Sequence, residues 1–213
     1  MSRHLLYISG PPGAGKSTIV KHLTEGVDTE EVRWTEPTPE VKEPSTLWLQ
    51  RYSTLGGAVW EPGRLKPATN KGVSHRGTDL LSHSAQPHAE HWLRTVQPRL
   101  VMYEGCQVLA SRTWLDFARA LGYDLRVVYL AIPEADREAR VKSRHFDAWD
   151  PAWQKGLHTR TLRLAAEYGA TMVPGWIEPA EIAAKLATVS PVAAALLSAP
   201  RIHVPQPQAE LAL

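Results

Sequence analysis

The sequence predicts an α/β domain in three layers: a parallel sheet of about five strands, helices on both faces, and a helical lid. Three observations predict it. Short apolar runs of strand length recur, each closed by Gly, Pro or an acidic residue. Amphipathic stretches of helical length lie between them, the alternation that builds βαβ units. The chain's 213 residues, 43% hydrophobic and 22% charged, suffice for one core without disulfide or metal staples.

The elements follow in order. Leu5 to Ser9 is a buried strand that runs into Gly10-Pro11-Pro12-Gly13, and Ser17 to Leu23 is a helix. Val32 to Thr35 is a second strand, stopped at Glu36-Pro37. Residues 38–86 are irregular and rich in Gly, Pro, Ser and Thr, with a short helix near Leu47–Tyr52 and a strand around Ala58–Trp60. Pro87 to Val96 places Ala89, Trp92, Leu93 and Val96 on one helical face. Leu100 to Tyr103 is a third strand ending at Glu104-Gly105, and Trp114 to Leu121 is a helix stopped by Gly122. Leu125 to Ile132 is the strongest strand pattern. Two basic helices follow, 134–144 and 153–168, and then a short strand at 170–173 and a helix over 179–188. The domain is therefore expected over 1–188, with an acceptor-binding insertion at 38–86 and a lid at 133–163. Residues 189–213 read as an Ala/Pro-rich tail.

Gly10-Pro11-Pro12-Gly13-Ala14-Gly15-Lys16-Ser17 fits the G-x-x-x-x-G-K-[ST] spacing, between a strand and a helix. Glycines let backbone N–H groups turn inward around phosphate oxygens, and the following helix points its positive end at the same anion. Gly10, Gly13, Ala14, Gly15, Lys16, Ser17 and Thr18 are the expected nucleotide-binding residues. Lys16 reaches the β- and γ-phosphates and Ser17 binds Mg²⁺. This is the Walker A loop of P-loop NTPases, so ATP and Mg²⁺ are the expected ligands. The chain has no Asn-Lys-x-Asp, which argues against a GTPase.

A small P-loop domain with late basic helices resembles the nucleoside and nucleotide kinases. Deoxynucleoside kinases carry Glu-Pro at the end of the second strand, so the resemblance makes Glu36 of Trp34-Thr35-Glu36-Pro37 the base for the attacking hydroxyl. These kinases end the third strand in Glu-Arg-Ser. Here it ends in Glu104-Gly105-Cys106, so Glu104 is expected to hold Mg²⁺ or substrate, without the neighbouring Arg. Their lid follows the fourth strand, where Arg137, Arg140 and Arg144 share a helix face and suit phosphate oxygens. The region before the third strand recognises the acceptor, which makes Arg76 and Asp79 candidate contacts and Asp79 the second candidate base. The implied activity is transfer of the γ-phosphoryl group to a hydroxyl or phosphate of a nucleoside- or nucleotide-like acceptor. Gly77-Thr78-Asp79 and Lys155-Gly156-Leu157-His158-Thr159-Arg160 also resemble stretches of phage-type 5-hydroxymethyluracil DNA kinases, which implies DNA as an alternative acceptor. A P-loop ATPase or a nucleotide-binding module without a small acceptor is the other alternative.

Composition bounds these readings. No apolar stretch has the length of a membrane span, no signal peptide is evident, and Cys106 is the only cysteine, so a cytoplasmic protein is expected. The net charge of +2 excludes nucleic-acid binding by bulk charge alone. The basic excess is local: residues 51–99 hold seven basic against three acidic side chains, and 133–163 hold seven against five. Of eight tryptophans, Trp34, Trp92 and Trp114 read as core, while Trp48, Trp60, Trp149, Trp153 and Trp176 could stack on a base.

Overall fold

The computed structural model describes residues 2–36, 47–63, 81, 85–143 and 150–202. The elements are β1 (Arg3–Ser9), α1 (Lys16–Thr24), β2 (Thr29–Trp34), β3 (Leu47–Thr54), β4 (Gly57–Pro62), α2 (Gln86–Val96), β5 (Leu100–Glu104), α3 (Arg112–Ala120), β6 (Tyr123–Ala131), α4 (Glu134–Ser143), α5 (Pro151–Glu167), β7 (Thr171–Pro174), α6 (Pro179–Val189) and α7 (Pro191–Leu197). One seven-stranded sheet has the order β2-β3-β4-β5-β1-β6-β7. The five strands from β4 to β7 are parallel, as expected, and β2 and β3 add an antiparallel wing beyond them.

Side-chain alternation on the strands sorts the core into two layers. Leu6 and Ile8 of β1 pack with Val20 and Leu23 of α1 and with Ile182, Leu186, Val192 and Leu196 of α6 and α7. Leu5 and Tyr7 face the other way, toward Trp92 of α2, Trp114 of α3 and Leu164 and Tyr168 of α5. Every residue of β5 is buried, as a strand covered by helices on both faces requires. Trp92 and Trp114 are core residues, as the sequence suggests, each contributing about 1.5–3 kcal/mol by burial.

Two expectations change. The helix expected near Leu47–Tyr52 is strand β3. Its period is two: Leu47 and Leu49 face one layer and Tyr52 the other, and the Leu55-Gly56 turn returns the chain into β4. The expected second strand, β2, is present and forms an edge of the sheet. Its hydrophobic run is short, and Thr29, Glu30, Glu31 and Arg33 are exposed, as edge strands permit.

The stretch read as a tail contributes α7, where Val192, Ala193 and Leu196 are fully buried. Ser190 caps it by accepting from the Val192 N–H at 3.3 Å, and small alanines let it lie close to the sheet. Beyond it, Arg201 donates to the carbonyls of Leu23 (3.2 Å), Glu25 and Leu196 (3.0 Å), and the Ile202 N–H donates to Gly26 O at 2.6 Å. One guanidinium thus serves the carbonyl-rich ends of both α1 and α7.

Candidate active site

The site is built at the carboxyl ends of the parallel strands. The loop after β1 turns through Gly13 and Gly15, both with φ near +90° (86° and 90°), a conformation that costs little only without a Cβ. Gly15 is the N-cap of α1 and brings no side-chain cap, which leaves the first N–H groups of α1 facing the loop. The Ala14 N–H closes the turn on Pro11 O at 3.2 Å. Lys16 is buried beneath this loop, its Nζ donating to Gly10 O (3.0 Å) and Pro11 O (3.1 Å). Carbonyls hold the ammonium without neutralising it, so a phosphate can take their place at little cost. Thr18 is exposed at the start of α1.

Ser17 and Glu104, 87 residues apart in sequence, meet here. Ser17 Oγ donates to Glu104 Oε1 at 2.9 Å. Parallel pairing explains this: Glu104 is level with Ile8, at the mouth of the phosphate loop. The pair offers only oxygen donors beside the positive end of a helix, a set that fits Mg²⁺ rather than a softer metal.

With the loop, the Ser17–Glu104 pair and the strand order in place, comparison with known families becomes decisive. The model of the P-loop Nucleotide Kinase3 family matches residues 1–181. The chain belongs to that family. Nucleotide binding and kinase-type chemistry follow from the membership at that level. No curated protein matches the sequence. In this family member α7 and Arg201 lie past the matched residues. No helix among the described residues is long and apolar enough to cross a membrane.

The lid candidates have unequal roles. α4 lies on the phosphate loop: a Cβ on Gly13 would stand 3.2 Å from Val141 Cγ2. Arg137 is buried and held by Glu134, with contacts of 2.8 and 2.5 Å, and by Gln154 of α5 at 2.9 Å. That pairing keeps Glu134 below the usual carboxylate range and raises Arg137. Arg140 donates to Gly175 O at 3.0 Å, and its guanidinium is 3.8 Å from where a Cβ on Gly15 would stand. Arg140 thus pairs with no carboxylate among the described residues and stands beside the loop, whereas Arg137 ties α4 to α5. Trp176, half exposed, follows the Gly175 anchor. Arg144, Arg76, Asp79 and Trp149 lie outside the described residues.

Glu36 is exposed just past β2. β2 runs in the same direction as β4 and β5, so Glu36 stands at the same end of the sheet as the loop, but four strands from β1, about 19 Å at ordinary strand spacing. A second Glu-Pro, Glu61-Pro62, ends β4, the strand that pairs with β5. Glu61 is fully buried and accepts from the Tyr52 hydroxyl at 2.5 Å. Val59 and Met102 belong to the α1 layer, so Glu61 and Glu104, each two residues on, face that same side. One strand and two residues separate them, about 8 Å along the sheet. The sequence signals were the repeated Trp-x-Glu-Pro and Trp-Glu-Pro and the Gly56-Gly57 turn, which marks β4 as the return strand of a hairpin.

Trp34, Trp60, Trp92, Tyr7 and Tyr103 line the opposite layer. Trp60 packs on Trp92 (6.2 Å between centroids) and Trp34 on His91 (5.2 Å). Arg51 lies over Trp60, and Arg33 over Trp48. Tyr7 and Tyr103 stack at 4.5 Å beneath them, and burial holds the Tyr103 hydroxyl well above its ordinary pKa, hence neutral. His88 at the start of α2 is buried, and burial lowers its pKa, with His91 adding to the effect.

Proposed function

We propose that the protein is an ATP- and Mg²⁺-dependent kinase that transfers the γ-phosphoryl group to a hydroxyl or phosphate of a nucleoside- or nucleotide-like acceptor. The single observation that carries this reading is the Ser17–Glu104 hydrogen bond across the mouth of the phosphate loop. Ser17 and Glu104 hold Mg²⁺, which when bound offsets charge on the phosphate oxygens. Lys16 leaves the Gly10 and Pro11 carbonyls for the β- and γ-phosphates. Arg140 approaches from the β7 side and stabilises charge on the transferring group. Arg137 ties α4 to α5 through Gln154, and Arg144 is a further arginine of this lid segment available to the phosphates.

Glu61 orients the acceptor hydroxyl in preference to Glu36, because it stands one strand from Glu104 and Glu36 stands three. Arg76 and Asp79 complete the acceptor site from the segment before α2.

Incubation with γ-labelled ATP tests the reading. The acceptor panel contains nucleosides, nucleoside monophosphates and hydroxymethyluracil-containing DNA. Label is expected on one acceptor class. Label found only as free phosphate contradicts a kinase and favours an ATPase. Label on the DNA alone selects the DNA-kinase alternative.

A further inference from the structure

Arg160 lies on α5, apart from the residues assigned above. One of its guanidinium nitrogens donates to the carbonyl of Cys106, two residues past Glu104. α5 covers the sheet face opposite α1, where Leu164 and Tyr168 join Tyr7, Tyr103 and Val127. Thr161, fully buried, lies against Tyr129 of β6. The sheet order is β5-β1-β6. A helix touching β6 through Thr161 and the end of β5 through Arg160 therefore passes over the end of β1.

The residue under that crossing is Ser9. It is level with Tyr129 on one side and, by the Ile8–Glu104 register, with Gly105 on the other. The Ser9 hydroxyl is fully buried without a hydrogen-bond partner, and the Tyr129 hydroxyl level with it meets Thr161. Both side chains point to the α5 side, two residues on from Tyr7 and Val127. Unsatisfied buried hydroxyls are costly and call for a partner. Gly105 brings no side chain to fill the space beside Ser9.

The Arg160 charge is also uncompensated. The Cys106 carbonyl accepts one of its five N–H groups, and no carboxylate among the described residues pairs with it. Arg112 and Arg137, by contrast, are spent on Glu167 and Glu134. A planar guanidinium near an unpartnered hydroxyl matches an oxyanion with several oxygens.

We propose that Arg160, with Ser9 beside the same strand ends, is the acceptor-side anion subsite and holds a phosphate already present on the acceptor. This rests on the kinase reading. Donor phosphates then lie over Lys16 and Ser17 on the α1 side, and the acceptor phosphate lies on the α5 side. A free nucleoside lacks the recognised group. A mononucleotide and a DNA strand both carry it.

The test compares wild type, Arg160→Ala, Arg160→Lys and Ser9→Ala for transfer from ATP to a nucleoside, its monophosphate and a short oligonucleotide. Arg160→Ala is expected to raise KM for the phosphate-bearing acceptor about tenfold and leave KM for ATP within about twofold. Arg160→Lys is expected to recover part of the loss, and Ser9→Ala to cost a few-fold in acceptor KM. Arg160 is exposed, and an unchanged thermal midpoint for Arg160→Ala separates binding from folding.

Wild-type transfer to the monophosphate alone assigns the subsite to a small nucleotide, and transfer to the oligonucleotide alone assigns it to a strand. A nucleoside used as well as its monophosphate overturns the proposal, as does an equal rise in KM for ATP. If wild type labels no acceptor, the kinase reading fails. If it labels one and Arg160→Ala does so equally well, only the subsite fails.

Discussion

The two halves of the sheet handle charge differently. At the ends of β5, β1 and β7, Lys16, Arg140 and Arg160 are each tethered to main-chain carbonyls and pair with no carboxylate among the described residues. In the β2–β3 wing described polar side chains meet one another: Arg51 with Glu30 and Gln50 with Glu31. The parallel half is thus loaded for an anion, and the wing is internally balanced. Carbonyl-tethered cations can be recruited by phosphate without breaking an ion pair, which supports the proposed site at the parallel half.

Substitutions at the loop break the comparison most severely. Lys16→Ala is expected to reduce phosphoryl transfer about a thousandfold with the fold intact, measured by labelled transfer alongside circular dichroism. Ser17→Ala or Glu104→Gln separates the hydroxyl from the carboxylate and should cost about a hundredfold, with a higher Mg²⁺ requirement seen by titrating Mg²⁺ at saturating ATP.

Away from the carbonyl-tethered set, effects shift from rate to stability. Arg201→Ala leaves carbonyls at the ends of α1 and α7 without their donor. It should cost about 1–2 kcal/mol in urea unfolding, with turnover per folded molecule retained. The smallest effect concerns Glu134, which is largely exposed beside Arg137. Its pKa is depressed, so the pair contributes its full stability above the ordinary glutamate range and loses it as pH falls through the depressed value. Glu134→Gln should destabilise by under about 1 kcal/mol at neutral pH, and the difference should vanish in acid, once pH has fallen through the depressed value.

The parallel half was legible in the sequence because its signals are local. The G-x-x-x-x-G-K-S spacing, the buried runs at 5–9, 100–104 and 125–131, and the amphipathic helices name their elements without reference to partners. The wing was not, because pairing is a long-range fact. Glu36-Pro37 and Glu61-Pro62 each follow a Trp-containing strand, and nothing local says which strand lies beside β5. β3 was masked by tryptophan, glutamine and arginine within an otherwise polar stretch, and α7 by an Ala- and Pro-rich composition that also describes tails. The Ser17–Glu104 contact needed the register of β1 against β5. Arg160 needed the path of α5 across the sheet, which helical periodicity alone does not give.

On the proposed function, position in the sheet, more than the Glu-Pro dipeptide itself, decides which carboxylate meets the acceptor. Paired measurement of Glu61→Gln and Glu36→Gln in the labelled-transfer assay tests this most directly, since Gln preserves the acceptor for the Tyr52 hydroxyl. The account predicts a loss of about a hundredfold in kcat for Glu61→Gln, with KM for ATP unchanged, and less than about twofold for Glu36→Gln. A large loss for Glu36→Gln with Glu61→Gln near wild type would contradict it and return the chemistry to the edge of the wing.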